Sequence, residues 1–205
     1  MLKLYIARHG QNVDNANGIL NGHRDEPLTQ KGIEQAEEVA EQIKKARLSF
    51  DWVYTSPLSR AKQTADIIAH RIHGPKPLIE PLLIERDFGV MTGIETSRVE
   101  ELCAPNILKA ELITYFLEPE GAETFPDLLD RAHTYLTKLK STHIDGSVLL
   151  VTHGDFGKMI YASYYNLDWK RVLKQFHFGN SELLLLSPES HADQAHVFTI
   201  EQHNA

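Results

Sequence analysis

Ser147-Val148-Leu149-Leu150-Val151-Thr152-His153-Gly154 is a short apolar run closed by a histidine and a glycine. A strand buried on both faces of a parallel sheet needs such an uninterrupted run, because neither face meets water. The chain opens on a second stretch of the same design, Leu4-Tyr5-Ile6-Ala7-Arg8-His9-Gly10. Working outward, Asp51 to Thr55 reads as a third strand, and Glu182 to Leu186 and His196 to Ile200 as the closing ones. Between them the period changes to three and four. Ile33, Ala36, Val39, Ala40 and Ile43 make an amphipathic helix of Lys31 to Arg47, and Leu128, Leu129, Ala132, Leu136 and Leu139 make another from Pro126 to Lys140. Ser56-Pro57 looks like a helix start, with serine as N-cap and proline in the first turn, ahead of Leu58, Ala61, Ala65 and Ile68 on one face. A further helix is expected from Phe156 to Tyr164. Strands alternating with helices predict an α/β fold: a three-layer α/β/α domain over 1–205 with a mostly parallel central sheet. Residues 93–125 show no obvious strand and are read as a small helical lid insertion.

The 205 residues carry 28 acidic and 21 basic side chains and a formal charge of −7. A chain of this length buries roughly 70% of its unfolded surface, enough for one substantial core. The single cysteine, Cys103, makes no internal disulfide, which points to a reducing, cytoplasmic setting and excludes paired-cysteine zinc patterns. No stretch approaches the roughly 20 apolar residues of a membrane span, so a soluble protein is expected. The acidic balance, without a basic tract, argues against nucleic acid or a membrane surface as partner. Any anionic ligand must then be drawn by local charge.

That local charge sits at strand ends. Ligands of open α/β sheets gather at the carboxyl ends of the strands. Three such ends deliver Arg8-His9-Gly10, with Asn15 close behind, Ser56-Pro57-Leu58-Ser59-Arg60, and His153-Gly154. Arg60 falls in a first helical turn, where free N–H groups and a guanidinium both favour an anion. Two histidines and two arginines converging on one sheet edge suggest a nucleophile inside an anion clamp. His70, His73, His191, His196 and His203 read as structural or exposed, and Cys103 as a packing residue.

These positions resemble the histidine phosphatase superfamily, the group of the cofactor-dependent phosphoglycerate mutases and of the phosphatase half of the bifunctional fructose-bisphosphate enzymes. The matching pieces occur in order over about residues 1 to 165. They are Arg8-His9-Gly10 with Asn15; Asp25-Glu26-Pro27-Leu28-Thr29 with Gly32 and Gln35-Ala36; Ser56 to Ala61 with Gln63-Thr64-Ala65; Glu85 within Leu83 to Gly89; and Thr152-His153-Gly154. The resemblance implies a phosphohistidine on His9 and a phosphoryl group held by Arg8, Asn15, Arg60, His153 and Gly154. It also implies Glu85 as the acid that protonates the leaving oxygen, with His23 and Arg24 in a substrate loop. No metal and no cofactor is called for, since arginines and histidines supply the charge that magnesium supplies elsewhere. The expected partner is a small phosphate monoester, and the assembly a monomer or homodimer.

Departures from the pattern separate three activities. A mutase of this kind carries an adjacent arginine pair in its lid, whereas between Ile94 and Phe125 this chain has only Arg98 and Lys109 against seven glutamates. Hydrolysis of a monophosphate with a neutral or partly apolar body is therefore expected, with mutase action as the alternative. A non-catalytic phospho-ligand-binding or scaffolding relative is the third reading, and retention of His9, both arginines, Glu85 and His153 speaks against it. Asn12 and Asn21 replace other hydrogen-bonding residues, and Asp155 after His153-Gly154 places a carboxylate close to the anion site.

Overall fold

The computed structural model describes residues 1–198. The expected strand at His196 to Ile200 is seen as far as Phe198, and its last two residues, with His203, lie outside the described residues. The elements run β1 (Lys3–Arg8), α1 (Val13–Ala16), α2 (Gln30–Lys45), β2 (Trp52–Thr55), α3 (Ser59–Ile72) and β3 (Leu78–Ile79). They continue with α4 (Val99–Cys103), β4 (Ile107–Lys109), β5 (Thr114–Phe116), α5 (Phe125–Thr142), β6 (Ser147–Thr152), α6 (Gly154–Tyr165), α7 (Trp169–Gln175), β7 (Leu183–Leu186) and β8 (His196–Phe198).

Among the described residues six strands form one sheet in the order β3-β2-β6-β1-β7-β8. β3, β2, β6 and β1 are parallel, and β7 and β8 close the edge antiparallel. Side chains of alternating residues serve opposite faces of a strand, and β1 shows the division. Leu4 and Ile6 pack with Leu128, Leu136 and Ile160 of α5 and α6, while Tyr5 and Ala7 pack with Val39, Ile43, Ala65 and Ile68 of α2 and α3. Because both faces are covered, the middle of each strand is apolar, which is why β1 and β6 read as continuous apolar runs between polar ends. The register pairs Arg8 with Thr152 and Thr55 with Val151. The chain therefore leaves all three strands at one level, and His9, Ser56 and His153 emerge side by side.

Two expectations are corrected. Helix α3 begins at Ser59, not at Ser56-Pro57, and its N-cap Leu58 offers no capping side chain. The cap comes from a distant loop: Asp25 accepts the Ser59 N–H at 2.6 Å and the Ser59 hydroxyl at 2.9 Å. This frees Ser56 to accept the Leu58 N–H at 3.3 Å and to meet His153 Nε2 at 2.7 Å. The 93–125 segment also carries more than helix, since β4 and β5 form an antiparallel hairpin pairing Ile107 with Phe116. Each of its strands has three residues, too few for an alternation to show in sequence. Phe88, Met91, Val99 and Phe116 give this region a small core of its own.

Leu150 is fully buried in the middle of β6. Truncating it removes apolar contacts and leaves a cavity. Leu150→Ala should lower the unfolding free energy by about 2–5 kcal/mol, read as a shifted urea midpoint with an unchanged slope; a midpoint within error of the parent would contradict this packing.

Candidate active site

His9 leaves β1 with its ring buried. Nδ1 lies 2.7 Å from the Gly10 carbonyl oxygen, which can only accept, so Nδ1 carries the ring hydrogen. The lone pair is then on Nε2, and Arg60 Nε donates to it at 3.2 Å. Arg60, 1% exposed, is itself held by two carbonyls, Arg24 O at 2.7 Å and Gly22 O at 2.9 Å. Burial first, then the charges of Arg60 and Arg8, hold the His9 imidazole well below the ordinary histidine range. His153 is shifted the same way by burial, Arg60 and the neighbouring His9. The two rings stand 5.1 Å apart at 61°. His153 Nδ1 is buried and has no hydrogen-bond partner among the described residues.

Gly10 is needed here for packing. A Cβ on Gly10 would strike the Gly32 carbonyl, and one on Gly32 the Gln11 carbonyl. The pair lets the loop after β1 lie directly on the start of α2.

Arg8 lies over Gly154 at the start of α6 and donates from Nη1 to the Phe178 carbonyl at 2.9 Å, while its Nε, also buried, has no hydrogen-bond partner among the described residues. Glu85 reaches the same helix start. Its carboxylate accepts the N–H groups of Arg86 at 2.9 Å, Phe156 at 3.1 Å and Asp155 at 3.3 Å. Burial and the nearby Asp155 charge nevertheless push its carboxyl up, outweighing the hydrogen bonds and Arg60. The Glu85 backbone is fixed by His23 Nε2, 2.8 Å from its carbonyl, and by Arg131, which also binds Leu82 O and Ile84 O. Asp155 turns toward Arg86, with Oδ2 3.0 Å from Nε, in an ion pair with a buried guanidinium.

A cavity of about 270 Å³ opens at this point. Arg8, His9, Asn15, Glu85 and Gly154 line it, and the lid adds Leu112, Ile113 and Phe116. Arg24, His23, Arg60 and His153 are not on its wall, and Arg60 and His153 stand against the His9 ring. The Arg24 guanidinium is paired with Asp14 at 2.8 Å, so Arg24 serves the site through its carbonyl. His23 serves it by holding the Glu85 backbone.

Sequence reasoning missed Asn180 and Glu182. Asn180 Nδ2 donates to the His9 carbonyl at 2.9 Å and to Asn15 Oδ1 at 3.2 Å. Glu182 accepts the Gly179 N–H at 2.8 Å, bracing the turn whose Phe178 carbonyl holds Arg8. The signal was Asn180-Ser181-Glu182 at the mouth of a buried apolar strand. Because β7 runs antiparallel to β1, its beginning lies where β1 ends.

A profile of the histidine phosphatase superfamily (branch 1) matches residues 4–200. The chain belongs to that superfamily. Among its relatives is a 2,3-bisphosphoglycerate-dependent phosphoglycerate mutase of Parvibaculum lavamentivorans, 31% identical over 83% of each chain. Among solved structures, the phosphoserine phosphatase of Entamoeba histolytica in complex with 3-phosphoglyceric acid is 28% identical over 90% of each chain, with a TM-score of 0.76. A mycobacterial glucosyl-3-phosphoglycerate phosphatase shares the fold at 23% identity, 94% coverage of each chain and a TM-score of 0.77. Superfamily relatives thus carry both phosphatase and mutase names. No helix among the described residues is long and apolar enough to cross a membrane.

Holding two histidines neutral links this site to stability. For groups with a depressed folded pKa, the stabilising contribution is complete above the unfolded histidine value near 6.5 and is lost as pH falls toward the folded value. The unfolding free energy should decline as pH drops from about 7 to about 5, and less steeply in His153→Gln. Glu85, shifted up, acts in the opposite sense in both proteins and cancels from the comparison. Identical slopes would contradict burial of a neutral His153.

Proposed function

We propose that this chain hydrolyses a small phosphate monoester through a phosphohistidine on His9. The observation that carries the reading is the His9 tautomer: Nδ1–H is tied to the Gly10 carbonyl, and the Nε2 lone pair faces Arg60. In the first step Nε2 attacks phosphorus and the bond to the ester oxygen breaks. Arg60 Nε–H moves from the lone pair to a phosphoryl oxygen, joined by Arg8, Asn15 and His153. At an effective dielectric of about 20, a guanidinium about 4 Å from a unit charge contributes about 4 kcal/mol of gross attraction. In this mechanism the Ser56 hydroxyl donates to His153 Nε2, 2.7 Å away, so that the ring presents Nδ1–H to the phosphoryl group.

Glu85, shifted up by burial, gives its proton to the departing alkoxide. It then takes a proton from water, whose oxygen attacks phosphorus as the P–N bond breaks, releasing inorganic phosphate and neutral His9. The raised acid and the depressed nucleophile give kcat/KM a bell shape. Activity is lost at low pH as His9 protonates, and lost again as pH rises through the Glu85 value.

A mutase is the second reading, favoured by the name of the 31% identical relative. The lid supports hydrolysis instead. Its two basic residues are committed to surface carboxylates, Arg98 to Glu101 and Lys109 to Glu100, and neither lines the cavity. Leu112 and Ile113 form the cavity lip, suiting a body with some apolar surface.

With chelator present, the protein should hydrolyse an aryl phosphate. His9→Ala should abolish turnover, and Glu85→Gln should cut kcat by about 10²–10⁴-fold and flatten the alkaline limb. Turnover that survives loss of His9 would refute the mechanism. Bisphosphoglycerate-dependent interconversion of monophosphoglycerates, faster than their hydrolysis, would make it a mutase.

A further inference from the structure

Lys158 lies four residues beyond Gly154 on α6, one turn or about 6 Å along the axis from the phosphoryl end of the cavity. It is 3% exposed and lines the cavity wall. Its hydrogen-bond partner among the described residues is the Tyr115 hydroxyl, 2.6 Å from Nζ, and Tyr115 lines the same wall from β5 of the lid. The nearest acidic group on its own helix, Asp155, is already paired with Arg86. A buried ammonium without a close carboxylate is costly unless something compensates it. Nζ donates to the Tyr115 oxygen, so the tyrosine hydrogen and the remaining ammonium hydrogens are left as donors beside one another, with no acceptor among the described residues.

We propose that Lys158 and Tyr115 form an anion subsite that receives a carboxylate carried by the body of the phosphomonoester. This rests on the reading of His9 and Arg60 as the phosphoryl end. It narrows the expected substrate: a short, partly apolar body with one acidic end, held by a single cation, in place of a neutral one. Two phosphoryl groups would exceed what one lysine offers. Lys158 also makes the preference depend on pH. Burial pushes its ammonium down to about 8, against the pull of Asp155 on its own helix, Glu85 and Glu182, while Arg8 lowers it further. Tyr115 faces it from the lid, and His177 lies in its field.

The test is calorimetry on His9→Ala protein, which needs no turnover, with 3-phosphoglycerate and glycerol 3-phosphate as ligands. The two differ in a carboxylate against a hydroxymethyl group. At pH near 7 the acid should bind about tenfold tighter or more, the scale of a charge-assisted hydrogen bond. Adding Lys158→Met should remove most of that ratio, Lys158→Arg should retain it, and Tyr115→Phe should reduce it. Raising the pH to about 9 should shrink the ratio with Lys158, as the ammonium deprotonates, and leave it unchanged with Arg. A ratio near one at pH 7, a ratio that survives Lys158→Met, or an equal loss for both ligands would overturn the subsite. The last would place Lys158 on the phosphoryl group instead. Should the protein fail to hydrolyse any phosphate ester while this ratio holds, the phosphohistidine reading fails and the subsite stands.

Discussion

The site depends on one hydrogen bond, from His9 Nδ1 to the carbonyl of the next residue. An imidazole has one hydrogen to place when neutral, and placing it on Nδ1 leaves Nε2 as an aimed lone pair. Burial and two guanidiniums keep the second proton away. In the proposed mechanism the cations that would hold a phosphoryl group also keep His9 Nε2 unprotonated, so binding and activation would share one cause. This is electrostatic preorganisation: the charges are positioned by the fold and need not reorganise when negative charge develops.

The fold sets that bond by register. β1 and β6 are neighbours and end at the same level, so His9 and His153 meet without either chain bending toward the other. Around them the support is mostly backbone. Arg60 is fixed by two carbonyls, Arg8 by a third, and Glu85 by three N–H groups, two of them from the start of α6. Backbone groups hold a side chain in place without adding charge, which leaves the cations available to a ligand.

Much of this was legible in the sequence for a physical reason. Strands buried on both faces must be apolar throughout, so β1 and β6 mark themselves, and the polar residues that end them are necessarily at a sheet edge. His9, Arg60, Glu85 and His153 were found that way or through the family pattern. What escaped came from chain direction and distance. Asn180 reaches the site because β7 runs antiparallel, and Asp25 caps α3 from another loop. Arg24 was expected to touch substrate, but a carboxylate ten residues away takes its guanidinium. Lys158 was hidden in a helix buried on most sides, where a single cation disturbs no period.

The most direct measurement is to quench the enzyme in alkali during turnover of a phosphate ester and determine by phosphorus NMR and peptide mapping which atom carries the phosphoryl group. Phosphate is expected on His9 at Nε2, since Nδ1 is committed to the Gly10 carbonyl. Phosphate on Nδ1, on His153, or on no residue at all during sustained hydrolysis would contradict it.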